Sequence, residues 1–247
     1  MITLPKRPLI IAHRGASGYH PENTLPSFAA AVELQADGVE LDVHYTKDRE
    51  IVVSHDATID RLSNGQGRIA SYTLEELKHF DFGYKFHKEC RGVRIPTLAE
   101  VYELLKDTKL YVNVEIKGSD PQMPADLDAL ARRYGMEDRV FYSSFCHWQL
   151  VRMKEVAPDA LVAPLYGAFS LHDAPAYAKS FGAAAIHPDM GDIFKKPEIV
   201  ARAHSLGQRV HPWAPNSEEH MERLLRLGCD GLIMDYPDRA RKILESI

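Results

Sequence analysis

Short apolar runs alternate along the chain with longer segments in which apolar residues recur at helical spacing. Residues 8–12 form the first apolar run. Residues 24–36 follow with the pattern of a helix, for which Thr24 is a suitable N-cap and Pro26 is acceptable in the first turn. Residues 38–44 form the second apolar run. Each apolar run predicts a buried strand, so the chain begins with a β-α-β unit.

The same alternation continues to the C-terminus. The later apolar runs predict strands at residues 110–117, 139–142, 160–163, 183–186, 209–213 and 231–234. Counted from the start, the pattern contains about eight β-α units. Alternating units predict a parallel sheet, and at this number a closed (β/α)8 barrel, the TIM-barrel fold, is favoured over an open sheet.

One region departs from this alternation. Residues 47–50 form a polar turn after the second strand, and residues 51–54 form a short apolar strand that would bring His55 back to the edge where the second strand ends. Residues 57–95 are rich in turn residues and contain one short helix with a capping box that begins at Thr73. We therefore expect a small insertion after strand 2, which covers one mouth of the barrel.

Length and composition are those of one globular domain. The 247 residues match the usual size of this barrel, so residues 1–247 are expected to form a single domain that includes the insertion. With 45% hydrophobic and 26% charged residues, the chain can bury a large core. The formal net charge of −5 argues against a general affinity for nucleic acid, so an anionic substrate must be attracted by local cations.

The sequence also indicates the cellular compartment. Its three cysteines show no C-x-x-C spacing, which argues against a disulfide framework or a zinc knuckle. There is no run of about 18 apolar residues, and the apolar run near the N-terminus is shorter than a signal-peptide core. We expect a cytoplasmic protein without stable membrane association. The oligomeric state is not indicated.

Acidic residues lie at the ends of predicted strands, where the mouth of a barrel opens. Side chains two residues apart on a strand point the same way, so Glu40 lies with Asp42 and Glu115 with Lys117. The three carboxylates offer only hard oxygen donors, which suit one divalent cation, Mg²⁺ or Ca²⁺ and also Mn²⁺, better than Zn²⁺. The alternative is an interior salt-bridge layer in which Lys117 and Arg14 neutralise the carboxylates.

The remaining polar groups at these strand ends suit phosphate chemistry. Arg14 presents a planar fork that matches phosphate oxygens and Lys117 presents a point charge, so together they can hold a phosphodiester beside the cation. His13 ends the first strand and His55 ends the hairpin arm, and an imidazole can both take and give a proton at neutral pH. We therefore predict these two histidines to be the acid–base catalysts.

For three further residues the sequence gives weaker evidence of a role in the site. His44 shares the strand face of Asp42 and is a third candidate for proton transfer. Trp213, at the end of the seventh strand, is predicted to form one wall of the substrate pocket, although plain packing is the alternative. Asp235, which precedes Tyr236 and Pro237, is interpreted as marking the start of the last helix and the closure of the barrel, not as a catalytic group.

An ordered series of motifs along nearly the whole chain resembles the glycerophosphodiester phosphodiesterase family, in its bacterial cytoplasmic type. The residues that carry the resemblance are His13-Arg14-Gly15, Pro21-Glu22-Asn23-Thr24, Glu40-Leu41-Asp42-Val43 with Thr46 and Asp48, His55-Asp56, Asp60-Arg61 through Gly65 and Gly67, Glu115-Ile116-Lys117, Trp213 with Asn216, and Asp235-Tyr236-Pro237. Ala214 and Leu62 depart from the family pattern, in which Thr is common at both places.

The resemblance implies an enzyme that uses a small-molecule glycerophosphodiester. It implies a divalent metal held by Glu40, Asp42 and Glu115, with His13 and His55 as the general acid–base pair. In that family the reaction releases sn-glycerol 3-phosphate and an alcohol such as choline or ethanolamine. Cleavage is thought to begin with attack by the glycerol hydroxyl next to the phosphate, which gives a cyclic phosphate that water then opens. The preferred alcohol is not indicated.

Three other functions agree less well with the sequence. A related phosphodiesterase acting on lysophospholipids at a membrane needs an exposed apolar rim, and the insertion alone offers one in the sequence, with a spacing more typical of core: Phe80, Phe82, Tyr84 and Phe86. A phosphate-binding barrel without catalysis is disfavoured because His13 and His55 are present. A zinc amidohydrolase barrel would be expected to show a His-x-His pair after the first strand, which this sequence does not contain.

Overall fold

The computed structural model describes residues 5–171 and 173–247. The strands are β1 (Leu9–His13), β2 (Gly38–Tyr45), β3 (Ile51–Val53), β4 (Tyr111–Ile116), β5 (Val140–Ser144), β6 (Leu161–Tyr166), β7 (Ala185–Pro188), β8 (Arg209–Val210) and β9 (Gly231–Met234). Within the described ranges, eight parallel strands lie in the order β8-β7-β6-β5-β4-β2-β1-β9, and β3 pairs antiparallel with β2. The predicted (β/α)8 barrel with an insertion after its second strand is confirmed.

Contacts at Trp213 bring the two ends of this sheet together. Trp213 lies three residues beyond β8 and forms isolated bridges to Asp189 on one side and to Ile233 of β9 on the other. The backbone N–H of Ile233 also donates to the carbonyl of Pro212 at 3.1 Å. The barrel is therefore nearly closed, and Trp213 is positioned at its upper edge.

Helices cover the outside of the barrel, except for the short α2 (Leu74–Leu77), which lies in the insertion. They are α1 (Leu25–Glu33), α2 (Leu74–Leu77), α3 (Leu98–Leu105), α4 (Met123–Arg133), α5 (His147–Val156), α6 (Ala174–Ser180), α7 (Met190–Lys195), α8 (Glu198–Ser205), α9 (Glu218–Arg226) and α10 (Pro237–Ser246). Capping boxes begin α1 at Thr24, α2 at Thr73 and α3 at Thr97. In each box the threonine side chain accepts from a backbone N–H of the first turn, which the helix itself leaves without a partner.

Several element boundaries differ from the predicted ones, and the strand predicted at residues 209–213 is reduced to Arg209–Val210. The helix predicted at residues 24–36 ends at Glu33, because Gln35 adopts a left-handed conformation with φ of 58° and the chain turns toward β2. The strand predicted at residues 183–186 forms as Ala185–Pro188 instead. Its register is set by β6, where Leu165 pairs with His187 and Tyr166 with Pro188.

The hydrophobic core has three parts. The largest lies between the strands and the surrounding helices. A small cluster inside the barrel contains Leu9, Ile11, Phe141 and Ile233, and it fills the interior below the strand ends. The segment between β3 and α3 has its own cluster, which includes Ile59, Ile69, Leu77, Phe82 and Ile95 together with Val52 of β3. This last cluster fixes the insertion against the barrel.

The exposed aromatic residues are distributed differently from the prediction. In the insertion, Phe82 is buried, whereas Tyr84 and Phe86 are 46% and 37% exposed. Phe145 and Trp148, just after β5, are 50% and 49% exposed. The sequence predicts an exposed apolar rim only in the insertion. In the structure, the residues after β5 offer a second one. Among the described helices, none has the length and apolar character needed to span a bilayer.

Candidate active site

The turn after β1 presents His13 and Arg14 to the neighbouring strand. Arg14 and Gly15 both adopt positive φ, 55° and 79°. A Cβ at Gly15 would lie 2.4 Å from the Ser27 hydroxyl oxygen, so this turn requires glycine both for its conformation and for space. The backbone N–H of Arg14 donates to the carboxylate of Glu40 at 3.0 Å. The turn therefore fixes the end of β1 directly beside the acidic residues of β2.

Glu40, Asp42 and Glu115 come together as one buried carboxylate cluster. Asp42 of β2 is in register with Glu115 of β4, and Glu40 is in register with His13 of β1. Each of the three carboxylates has an oxygen within 4.8 Å of the others. Their exposed fractions are 4%, 0% and 6%. The structure thus brings together the three residues that the sequence suggested as metal ligands.

Two cations lie in the same layer. The Lys117 ammonium is 2.9 Å from Asp42 and also hydrogen-bonds Glu115. The Arg14 guanidinium donates to Glu22 at 2.8 Å, and its Nε lies 3.7 Å from Asp42. The salt-bridge layer considered as the alternative reading is therefore present around the carboxylates.

The two cations do not suffice to keep all three carboxyl groups ionised. Burial raises the pKa of Glu115 to about 8, with a further contribution from Asp42. Burial and the two neighbouring carboxylates also raise the pKa of Glu40 well above its usual range. Burial opposes ionisation of Asp42 as well, but Lys117 and Arg14 outweigh it and its pKa is lowered. A divalent cation would favour the ionised form of all three groups, and three hard oxygen donors fit an ion of the Mg²⁺ or Ca²⁺ type.

His13 is oriented by a carboxylate from the far end of the chain. Its Nδ1 lies 2.7 Å from Asp235, which follows β9. The same carboxylate accepts from Ser17 at 3.1 Å and from Asn216 at 2.6 Å. Burial disfavours ionisation of Asp235, but its contacts with His13, Ser17 and Asn216 prevail and its pKa is lowered. Helix α10 begins at Pro237, as predicted, and Asp235 also pairs with His13, a contact that the prediction did not include.

His55 has an equivalent partner next to it in sequence. Its Nδ1 lies 2.7 Å from Asp56, and Arg61 of the insertion donates to the other oxygen of Asp56 at 2.7 Å. Arg61 also donates to Glu22, at 2.7 and 2.8 Å. The bond from Arg61 is the main reason that the pKa of Asp56 is lowered to about 2. The insertion thereby reaches the site through a chain of charged contacts.

In both pairs the carboxylate fixes the imidazole tautomer. An ionised carboxylate can only accept, so Nδ1 of each ring carries the proton and Nε2 is left to exchange protons with a ligand. His44 is placed differently, since its Nε2 contacts the backbone carbonyl of His55 at 3.2 Å. Through this contact His44 holds the hairpin arm, and its role as a third candidate for proton transfer stays a prediction.

A pocket of about 50 Å³ joins these groups, and its lining includes His13, Arg14, Glu40, His55 and Glu115. Trp213 and Phe145 form one wall, with ring centroids 5.8 Å apart in an edge-to-face arrangement. The Trp213 indole N–H donates to the backbone carbonyl of His187 at 3.0 Å, which fixes the ring. A larger groove of about 330 Å³ near Arg49 and Arg133 contains none of these candidates, so we locate the site by its chemistry and not by size.

The sequence did not assign roles to Glu22, Asp56 or Arg61. All three occur in motifs that carry the family resemblance, but their contacts cross from the β1 turn to the insertion. The one local signal was His55-Asp56, because an adjacent His and Asp can pair without long-range folding. Asn216 likewise lay in a motif, and its contact with Asp235 depends on the closure of the barrel.

Comparison with known proteins extends over the same residues. The model of the Glycerophosphoryl diester phosphodiesterase family matches residues 13–239. The chain is 42% identical over 233 residues to a glycerophosphodiester phosphodiesterase of Caldanaerobacter subterraneus subsp. tengcongensis, covering 93% of this chain and 95% of that protein. It is 37% identical to a glycerophosphodiester phosphodiesterase of Bacillus altitudinis, and the match covers 96% of this chain and 98% of that protein.

A solved structure agrees with the fold and with the family. It is an Oleispira antarctica phosphodiesterase in complex with the product sn-glycerol-3-phosphate, with a TM-score of 0.90, 28% identity and 97% of both chains covered. The match of the family model from His13 to beyond the last strand includes every residue of the pocket and of the two histidine–carboxylate pairs. On this evidence the chain belongs to the glycerophosphoryl diester phosphodiesterase family.

Proposed function

We propose that the protein is an enzyme that hydrolyses glycerophosphodiesters to sn-glycerol 3-phosphate and an alcohol, with His13 and His55 as proton carriers. The observation that supports this most directly is the pairing of both imidazoles with carboxylates, His13 with Asp235 and His55 with Asp56, at a pocket that they share with the carboxylate cluster. The family relationship supports the choice of substrate class.

Glu40, Asp42 and Glu115 would hold the divalent cation. When bound, the cation neutralises charge on the phosphate and makes the phosphorus easier to attack. The carboxylates suit Mg²⁺, Ca²⁺ or Mn²⁺, all of which prefer oxygen ligands.

The two histidines divide the proton transfers between them. One Nε2 takes the proton of the glycerol hydroxyl next to the phosphate as that oxygen bonds to phosphorus, and the other gives a proton to the alcohol oxygen as its bond to phosphorus breaks. The product of this step is a cyclic phosphate and the free alcohol. Water then opens the ring with the proton transfers reversed, which yields sn-glycerol 3-phosphate and restores both imidazoles.

Arg14 and Lys117 are proposed to bind the phosphate. Arg14 lines the pocket, and the Lys117 ammonium lies 6.0 Å from the ring centre of Phe145, which also lines it. Two positive charges beside the reacting phosphate stabilise the negative charge on its oxygens. Trp213 would contact the carbon chain of the glycerol as an apolar wall.

The direct test is turnover by the purified protein. Glycerophosphocholine, glycerophosphoethanolamine and glycerophosphoglycerol are compared with Mg²⁺, Ca²⁺ and Mn²⁺, and release of sn-glycerol 3-phosphate is measured. We expect activity that a chelator abolishes and that one of these ions restores. Turnover that persists after complete metal removal would contradict the metal role, and no turnover with any combination would contradict the proposed activity.

A second candidate substrate class has specific support. The exposed rings of Phe145 and Trp148 lie where β5 ends, and Phe145 also lines the pocket, so an acyl chain attached to the substrate could rest on them. Lysophosphatidylcholine compared with glycerophosphocholine tests this. A preference for the lysophospholipid that is lost in Trp148→Ala would favour the lipid substrate, and the reverse preference would favour the water-soluble one.

We also propose a cytoplasmic location. Cys90, Cys146 and Cys229 are all free thiols, as is usual in a reducing compartment. Fractionation of cells that express the tagged protein would test the location.

A further inference from the structure

Two polar side chains at the active-site pocket have no hydrogen-bond partner among the described residues. Asn113 is 1% exposed, and neither its amide nitrogen nor its amide oxygen is bonded. Ser143 is fully buried, and its hydroxyl is also unbonded. Buried polar groups in folded proteins are nearly always paired, so these two side chains need a partner from outside the protein, either ordered water or a ligand that enters the pocket.

The strands place both side chains among the residues that carry the chemistry. Asn113 of β4 is in register with Glu40 of β2, and Ser143 of β5 is in register with Glu115 of β4. Both line the same pocket as His13 and His55. Asn113 makes no hydrogen bond to Glu40 despite this register, so holding the carboxylate in place does not account for its amide.

The chemistry of the two groups restricts what they can bind. An amide and a hydroxyl are neutral, and each can both donate and accept. They suit a partner that also donates and accepts, which is an alcohol hydroxyl. Phosphate already has Arg14 and Lys117 beside it, and the hydroxyl that attacks phosphorus already has an imidazole. In a glycerol phosphate group this leaves the terminal hydroxyl, the one farther from the phosphate, without an assigned partner.

We propose that Asn113 and Ser143 bind the terminal hydroxyl of the substrate's glycerol and so make the enzyme specific for glycerol esters. This inference rests on the proposed function. The pocket volume of about 50 Å³ suits a small polyol and not a bulky headgroup, so the glycerol enters and the alcohol portion faces outward. Trp213 and Ile233, which also line the pocket, pack against the glycerol carbons.

The test compares two substrates that differ at one atom. Glycerophosphocholine is compared with its analogue in which the terminal CH₂OH is CH₃, so that the hydroxyl next to the phosphate is kept. We expect wild-type kcat/KM to be at least about 10-fold lower for the analogue, because a site built to bind a hydroxyl is left with unpaired groups when it is missing. In Ser143→Ala and Asn113→Leu the two substrates should be cleaved within about 3-fold of each other.

Ser144→Ala is the matched control. Ser144 is the next residue on the same strand, but its hydroxyl is already used, donating to the Ile116 carbonyl and accepting from the Cys146 N–H. This variant should discriminate between the two substrates as wild type does. If Ser143→Ala and Asn113→Leu also keep full discrimination, or if wild type shows none, the proposal is overturned. A higher metal requirement in these variants with discrimination retained would show a metal-positioning role and would overturn it too.

A binding measurement separates this proposal from the proposed function. Calorimetry compares sn-glycerol 3-phosphate with propane-1,2-diol 1-phosphate, which lacks only the terminal hydroxyl. Tighter binding of glycerol 3-phosphate by wild type, lost in Ser143→Ala, supports the hydroxyl site whether or not turnover is found. Equal binding of the two ligands by wild type overturns it, even if glycerophosphodiesters are hydrolysed.

Discussion

Two pairs of histidines in this protein have opposite surroundings. His13 and His55 lie at the upper end of the barrel, each 2.7 Å from a carboxylate and each partly exposed. His187 and His211 lie inside the barrel, where Nε2 of one is 3.1 Å from Nδ1 of the other. Among the described residues, neither ring of the inner pair forms an ion pair with a carboxylate.

The difference decides which rings can carry a proton. Burial lowers the pKa of His187 to about 3. Burial, followed by the charges of His187 and Arg209, lowers the pKa of His211 well below its usual range. Burial also lowers the pKa of His55, but Asp42 and Asp56 counter it. An imidazole is therefore useful for proton transfer only where a carboxylate supports its charged form, and the two rings at the barrel mouth meet that condition.

The largest expected effect is the loss of either outer histidine. His13→Ala and His55→Ala should each lower kcat/KM for glycerophosphocholine by about 10²–10⁴-fold, the usual range for general acid–base catalysis. His187→Gln should stay within about 3-fold of wild type, since its ring has no part in proton transfer. Steady-state kinetics with circular dichroism as a folding check makes the measurement. Equal losses at His13 and His187 would remove the distinction between the two pairs.

A smaller effect is expected from the carboxylates behind the outer histidines. Asp235→Asn and Asp56→Asn should each lower kcat/KM by about 10–10²-fold, because the imidazole loses its orienting partner. In Asp56→Asn the lost negative charge also lowers the pKa of the His55 imidazole, so the limb of the pH–rate profile that reports His55 should move to lower pH.

Asp230→Asn serves as the control for these two changes. It removes the carboxylate 2.7 Å from His204, an exposed histidine outside the pocket. The pH–rate profile should keep its shape in this variant. A profile that also keeps its shape in both Asp235→Asn and Asp56→Asn would show that these carboxylates do not act through the imidazoles.

The buried pair, His187 and His211, should affect the pH dependence of the free energy of unfolding and not the catalytic rate. Unfolded histidine has a pKa of about 6.5, whereas His187 remains neutral in the folded protein down to a pH of about 3. Below pH 6.5 the unfolded chain therefore binds protons that the folded chain does not, and the free energy of unfolding falls as the pH falls. The loss is up to about 1.4 kcal/mol per pH unit for each such histidine, and above pH 6.5 this contribution is constant.

Urea unfolding between pH 7.5 and pH 4.5 tests this expectation. His187→Gln should show a shallower fall in unfolding free energy below pH 6.5 than wild type, by about 1.4 kcal/mol per pH unit at most. Parallel curves for the two proteins would mean that His187 is protonated in the folded state, and the inner pair would then resemble the outer one.

Much of the site was predictable because it depends on local spacing. Glu40 and Asp42 are two residues apart on one strand, so their common direction follows from strand geometry alone. The same holds for Glu115 and Lys117, and the alternation of elements was enough to place the ends of these strands at one face of a barrel. The three carboxylates could therefore be grouped before any coordinates were known.

The limits of the strands and the contact partners of individual side chains were less predictable. The strand at Ala185–Pro188 was misplaced by two residues because its limits follow its pairing with β6, which no local pattern records. His187 and His211 sit on apolar runs, and their sequence gave no sign that they face each other inside the barrel.

The sequence by itself determined the order of strands and helices and the fold class. It also determined that Glu40 points the same way as Asp42, and Glu115 the same way as Lys117. Only the tertiary structure decided that Asp235 supports His13 and that Arg61 links Asp56 to Glu22. Asp235 lies 222 residues from His13, and Arg61 reaches Asp56 and Glu22 from the insertion. The physical reason is that side-chain direction is fixed by backbone period over a few residues, whereas ion pairing depends on distances that exist only after the barrel has closed.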